Sequence, residues 1–158
     1  MFKLDEIDFK ILSILQEDGR TPVAEIARQV KLASPSIHER ISKLEQVGII
    51  KGYTVILDSK KLGKDVTAFI GIRVNHALSS GDTVVSELMK IESILETHTV
   101  TGDDDILIKV KTENTTTLEK LLKKIDSIKG ILNTKTTVVL SSPAETIKIK
   151  IEQRPEKG

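Results

Sequence analysis

The sequence predicts an α+β chain in two parts, an N-terminal winged helix-turn-helix joined to a C-terminal ferredoxin-like βαββαβ sandwich. Three observations carry this. Helical spacing of apolar residues in the first third stops and restarts within four residues at "KLASPS". The apolar period changes from near 3.6 to 2 beyond the polar stretch "DSKKLGKD", residues 58–65. Beyond it the order reads strand, helix, strand, strand, helix, strand, the split βαβ plan. The expected division is residues 1–52 for the first domain, 53–65 for a linking strand and linker, and 66–158 for the second domain.

In the first helix Leu4, Ile7, Ile11 and Ile14 form one stripe, and Gly19 after "QED" is its expected C-cap. Thr21-Pro22 offers an N-cap followed by a proline at the first helical position, opening a second helix that runs to about Val30. After the turn Lys31-Leu32-Ala33, Ser34-Pro35 repeats that start signal, and Gly48 ends the third helix. "IIKGYTVIL" alternates loosely and reads as a wing and an outgoing strand. In "VTAFIGIRV", Val66, Ala68, Ile70, Ile72 and Val74 share one face of a half-buried strand. "SGDTVVSELMKI" and "TTTLEKLLKKI" read as helices, the latter with Thr116 and Glu119 at capping-box spacing. "ILETHTV", "DILIKV", "ILNTKTTVVL" and "TIKIKIE" complete the strands. "LMKIESI" at 88–94 and "LKKIDSI" at 122–128 agree at five of seven positions, which fits duplication of a βαβ half.

Composition narrows the function classes. With 39% hydrophobic and 30% charged residues the chain has a globular composition, and no apolar run reaches the length of a membrane span. It has no cysteine, hence no disulfide and no thiolate metal site, which suits a reducing cytoplasm. Aromatic residues make up 3%, too few for a base-stacking RNA platform. The formal net charge is +1, and residues 1–60 balance nine Lys/Arg against nine Asp/Glu, so charge alone makes no case for nucleic acid. There is no nucleophile paired with a base, no metal triad and no phosphate-binding glycine loop, so the expectation is a non-enzyme with no cofactor.

Geometry does make a case. A helix, a short turn and a second helix form the unit that sets one helix in a DNA major groove. At about 100° per residue, Ile41, Leu44 and Gly48 fall within roughly 40° of Ile37 and make the buried stripe. Pro35, Glu39, Ser42 and Lys43 point away from it, flanked by Ser36 and His38. Ser34 begins the helix, where base edges and phosphates are usually met. Arg40 lies nearer the core edge but is long enough to reach a phosphate. The expected DNA-binding set is therefore Ser34, Pro35, Ser36, His38, Glu39, Arg40, Ser42 and Lys43, with Lys51 of the wing; the alternative is an ordinary solvated helix. With so little net charge one module binds weakly, so useful affinity calls for several modules held together. The second domain, with an exposed edge such as "TIKIKIE", is the expected oligomerisation device.

"TGDDD" places Asp103, Asp104 and Asp105 at one end of a hairpin that turns at Gly102. Three readings stand: a solvated turn, a cation site without the regular spacing of a calcium loop, or a site for a small zwitterion. In the last, a carboxylate holds the ammonium, turn amides hold the carboxylate, and Thr134 and Thr136 add hydroxyls.

Taken together, "LDEIDFKILSILQEDGR", "EIARQVKLASPSIHERISKLEQVGIIKGY" and "VTGDDDILIKV" before a helix and "TKTTVVL" resemble the Lrp/AsnC (feast/famine) family of prokaryotic transcription regulators. The resemblance covers nearly the whole chain and is most specific at Leu44, Glu45, Gly48, Ile50, Gly52 and Tyr53. It implies a winged helix-turn-helix joined by a strand to a ligand-sensing domain, dimers through that domain, rings of up to eight, and an amino acid effector between subunits near Gly102 to Asp105. Two positions depart from the family pattern: Ala33 replaces the usual turn serine, and Asp104 an aromatic or apolar residue. The partners expected are double-stranded DNA, further copies of the chain and an amino acid; the alternative is an architectural DNA-binding protein that needs no effector.

Overall fold

The computed structural model describes residues 3–151. The chain divides into two compact units, one running up to Ile56 and resuming at Glu145, the other spanning Leu57–Ala144.

The first unit holds α1 (Glu6–Glu17), α2 (Val23–Val30) and α3 (Ser34–Gln46) around Ile11, Ile26, Ala27, Ile37 and Leu44. Asp5 caps α1 through a capping box with Asp8. The helix boundaries differ by one residue from the expected ones. Asp18, not Gly19, is the C-cap of α1. Pro22 is the N-cap of α2, its carbonyl accepting from Glu25 and Ile26 N–H, and Ala33 is the N-cap of α3, accepting from Ile37 N–H at 3.3 Å. No side chain caps either helix. Lys31 takes the left-handed conformation (φ 58°) that turns the chain between α2 and α3, and Gly48 (φ 74°) follows the end of α3.

Two expected strands are absent among the described residues: neither 49–57 nor 145–151 joins a ladder. Alternation alone cannot make a strand without a neighbouring backbone. The second of these segments instead lies along α1, where the Gln16 amide donates to Ile149 O (3.0 Å) and accepts from Ile149 N–H (2.8 Å), and Lys148 Nζ pairs with Glu17 at 2.7 Å. In the structure residues 145–151 group with the helical unit.

The second unit is a four-stranded antiparallel sheet of β1 (Val66–Val74), β2 (Ile94–Thr99), β3 (Ile106–Thr112) and β4 (Ile131–Val138) in the order β2-β3-β1-β4. Helices α4 (Gly81–Leu88) and α5 (Thr115–Asp126) cover one face, as the ferredoxin-like plan requires. The expected alternation holds: Ala68, Ile70, Ile72 and Val74 meet Val84, Leu88, Ile106, Ile108, Val110, Leu118, Leu121 and Ile125 in one core. Of the repeated heptapeptides, Ile91 and Ile125 are both buried, and Ile94 and Ile128 pack against the same core. The capping box of α5 belongs to Asn114 and Thr117, not Thr116 and Glu119. The expected linker at 58–65 is tied down: Lys64 N–H donates to Ser59 O (2.8 Å), Lys111 Nζ to Ser59 Oγ (3.1 Å), and Lys64 pairs with Glu113.

Candidate DNA-binding face and effector site

Helix α3 buries Ile37 and Leu44 completely and so fixes which side faces out. Ser34, Pro35, Ser36, His38, Glu39 and Lys43 are exposed, and Ser42 is half-buried. The first turn carries no acid and no side-chain cap, so its amide N–H groups point outward with a positive partial charge. Such a surface can hydrogen-bond base edges through short tips and hold a phosphate at its start. Lys51 is exposed beyond α3, and Tyr53 Oη donates to Glu45 Oε1 at 3.0 Å, tying that segment back to the helix.

Arg40 is committed elsewhere. Its Nη1 lies 2.7 Å from both Asp5 Oδ2 and Asp8 Oδ1, at the start of α1. These two bonds raise the guanidinium above its ordinary pKa. For Asp5, burial pushes the carboxyl up, but hydrogen bonds from Asp8 N–H and Arg40 outweigh it and the group is held below its usual range. Sequence reasoning missed Asp5 and Asp8, although their i, i+3 spacing in "LDEID" is the signature of the box they form.

At the hairpin after β2, Gly102 adopts φ 121°, which favours glycine. Asp105 is spent on the fold: its Oδ2 accepts from Val74 N–H at 2.7 Å, its own N–H donates to Ile72 O, and His76 Nε2 lies 3.6 Å from Oδ1. The Val74 N–H is the main cause holding its carboxyl below the usual range, with His76 and Arg73 adding to it. Asp103 offers its carbonyl to Arg73 Nε at 3.0 Å. Asp104 is half-buried over Gly71, so close that a β-carbon there would stand 2.1 Å from its Oδ2. Among the described residues its carboxylate has no hydrogen-bond or ion-pair partner. Of the three acids it is the one whose carboxylate is half-buried yet open to a ligand.

Thr134 and Thr136 do not join it. They pair opposite Ile72 and Ile70, whose side chains face the helices, and Thr134 Oγ1 donates to Asp126 Oδ1 at 3.0 Å. Gly71 faces the other way, so within one subunit the sheet separates both threonines from Asp104. Gly71 and Arg73, which shape the hairpin from β1, were not singled out in the sequence; both lie on the outward face of "VTAFIGIRV". Among the described residues no cluster of His, Cys, Asp or Glu could hold a metal.

Comparison with known proteins bears on both sites. Residues 4–45 match the AsnC-type helix-turn-helix domain, and residues 67–149 match the Lrp/AsnC ligand binding domain. The chain is 42% identical over 149 residues to the HTH-type transcriptional regulator FL11 of Pyrococcus horikoshii, covering 94% of this chain and 97% of that one. Among solved structures it is similar to E. coli AsnC, with a TM-score of 0.85, 34% identity, and coverage of 92% and 97% of the two chains. It is also similar to a Neisseria meningitidis transcriptional regulator solved as a complex with L-Met, with a TM-score of 0.89, 25% identity, and coverage of 94% and 97%. An AsnC-type helix-turn-helix followed by a ligand-binding sandwich, matched over most of the chain by named regulators, places the chain in the Lrp/AsnC family of DNA-binding transcription regulators, which are not enzymes.

Proposed function

We propose that the protein is a sequence-specific regulator that reads double-stranded DNA with α3, assembles through its sheet unit into dimers or rings up to an octamer, and binds an amino acid at a subunit interface. It acts in the cytoplasm, with no membrane partner; no described helix is long and apolar enough to cross a membrane. The single observation that carries the DNA-binding part is the outward face of α3, where Ser34, Pro35, Ser36, His38, Glu39, Ser42 and Lys43 surround an uncapped helix start, with Lys51 beyond it. A band shift with the upstream region of the protein's own gene tests it: retardation at low salt that weakens steeply with added salt is expected. Failure of a folded oligomer to retard any duplex would refute it.

The amino acid reading is supported by Asp104, an unpaired carboxylate beside the Gly102 turn, and by the L-Met complex of the Neisseria meningitidis regulator. Thr134 and Thr136 could contribute only from a neighbouring subunit. A ligand can shift assembly only through its differential affinity for the two states. A thermal-shift screen against the twenty amino acids reads this directly. At 100 times its dissociation constant a ligand adds about 2.7 kcal/mol, which is about 5 °C or more. A flat screen, with unselective binding across unrelated duplexes, would favour an architectural DNA-binding protein instead.

A further inference from the structure

We infer that Arg40 is a positioning residue of the DNA-reading helix, locking α3 to the start of α1 through Asp5 and Asp8 rather than contacting phosphate itself. This rests on the DNA-binding reading above. Every oxygen in the cluster has a job. Asp8, with only 5% of its side chain exposed, accepts from Arg40 through Oδ1 and from Asp5 N–H through Oδ2 at 3.0 Å. Asp5 caps Ile7 and Asp8 N–H through Oδ1, each at 2.9 Å, and accepts from Arg40 through Oδ2. One guanidinium thus faces two carboxylates, so an approaching phosphate meets net negative charge. Of the three groups only Asp8 is buried, so opening the tie leaves its carboxylate without a counter-charge.

Geometry sets the consequence. Arg40 falls one turn after Ile37 and one before Leu44, on the flank that meets α1, while Ser36, His38 and Glu39 point outward. The bonds therefore fix how α3 is presented. Small misplacements of a reading helix weaken base contacts while leaving charge contacts largely intact, so specific binding suffers more than non-specific binding.

The test measures binding of the full-length protein to its upstream region and to an unrelated duplex of equal length, over a series of salt concentrations. Arg40→Gln should weaken specific binding about tenfold or more and narrow the gap to the unrelated duplex, with the slope of log K against log salt unchanged; a lost phosphate contact would instead lower the slope by about 0.9. Asp5→Asn keeps the capping oxygen but loses the charge, so it folds and should weaken specific binding in the same direction, as should Asp8→Asn. If the acids merely compete with phosphate for Arg40, both variants would bind DNA more tightly. A folded Asp5→Asn that binds as well as wild type or better, or a reduced slope in Arg40→Gln, overturns the inference while leaving the DNA-binding reading intact. Wild-type protein that binds neither duplex overturns both.

Discussion

Gly130 sits at the turn between α5 and β4 with φ 97°, and its carbonyl accepts from Asn75 N–H at 2.8 Å. A β-carbon there would lie 2.3 Å from Ser79 Cβ and 3.4 Å from Val84 Cγ2. Ser79 cannot swing aside as a long side chain would, because its N–H is bonded to Asn75 O, in the turn that Gly130 itself anchors. Val84 is fully buried. Gly130→Ala therefore combines a strained backbone, about 1–3 kcal/mol, with overpacking, again about 1–3 kcal/mol, for roughly 2–6 kcal/mol together. Gly63 separates the two contributions: its φ is 71° but nothing stands within 4 Å of a β-carbon, so Gly63→Ala costs only the strain, about 1–2 kcal/mol. Urea unfolding followed by far-UV circular dichroism, at equal protomer concentration, gives both values. The sheet unit is small enough that each kcal/mol moves Tm by about 4–8 °C, so the Gly130 variant should melt about 8 °C or more below wild type. Equal costs for the two substitutions, within about 0.5 kcal/mol, would refute the close approach of Ser79.

Three further outcomes are expected. Gly71→Ala should push the Asp104 carboxylate out of its place while changing stability by no more than about 1 kcal/mol, since the obstructing atoms end a flexible side chain; it should also change the amino acid response in the thermal-shift screen, and an unaltered response would remove Asp104 from the site. Leu44→Ala empties a fully buried position shared by the three helices and should cost the helical unit about 2–5 kcal/mol, abolishing DNA retardation while the sheet unit still melts cooperatively; retained retardation at 37 °C would contradict the packing. The hydrogen bond from Lys64 is the main cause holding the Glu113 carboxyl down at about 2, from 4.5. A depressed folded value means its contribution is fully present above pH 4.5 and is lost as pH falls towards 2. Stability of wild type and Lys64→Gln should therefore converge over that window, and a constant difference would refute the pairing.

Periodicity made most of the fold legible. The alternation in "VTAFIGIRV" and the stripes of α3 and α5 are burial patterns, and burial is what folding enforces. Caps were less legible because adjacent residues compete for one role: Thr116 and Asn114 both suit a helix start, and only the backbone decides between them. "TIKIKIE" misled because its pattern states a preference for extended backbone without naming a partner, and Gln16 supplies one from far along the chain. The outward residues of α3 were legible from the angle of Ile37 and Leu44. The role of Arg40 was not, since its partners lie 32 and 35 positions earlier and no local pattern joins them. Thr134 and Thr136 show the converse: a sequence pattern does not fix register, and register decides which side of a sheet a residue faces, here the side away from Asp104 of the same subunit.

The return of the chain to α1 at Ile149 makes the helical unit discontinuous in sequence, with the whole sheet unit between its two pieces. During synthesis the three helices emerge first, yet the strap along α1 emerges only after the sheet has been made. Chains leave the ribosome at roughly 5–20 residues per second, so the helices wait several seconds, while the sheet unit is made, before the strap can reach Gln16 and Glu17. Through that interval the helices must stand on their own core of Ile11, Ile26, Ile37 and Leu44. A nascent chain can thus present its DNA-reading helix before its first unit is closed, and the order of translation becomes part of how the protein matures.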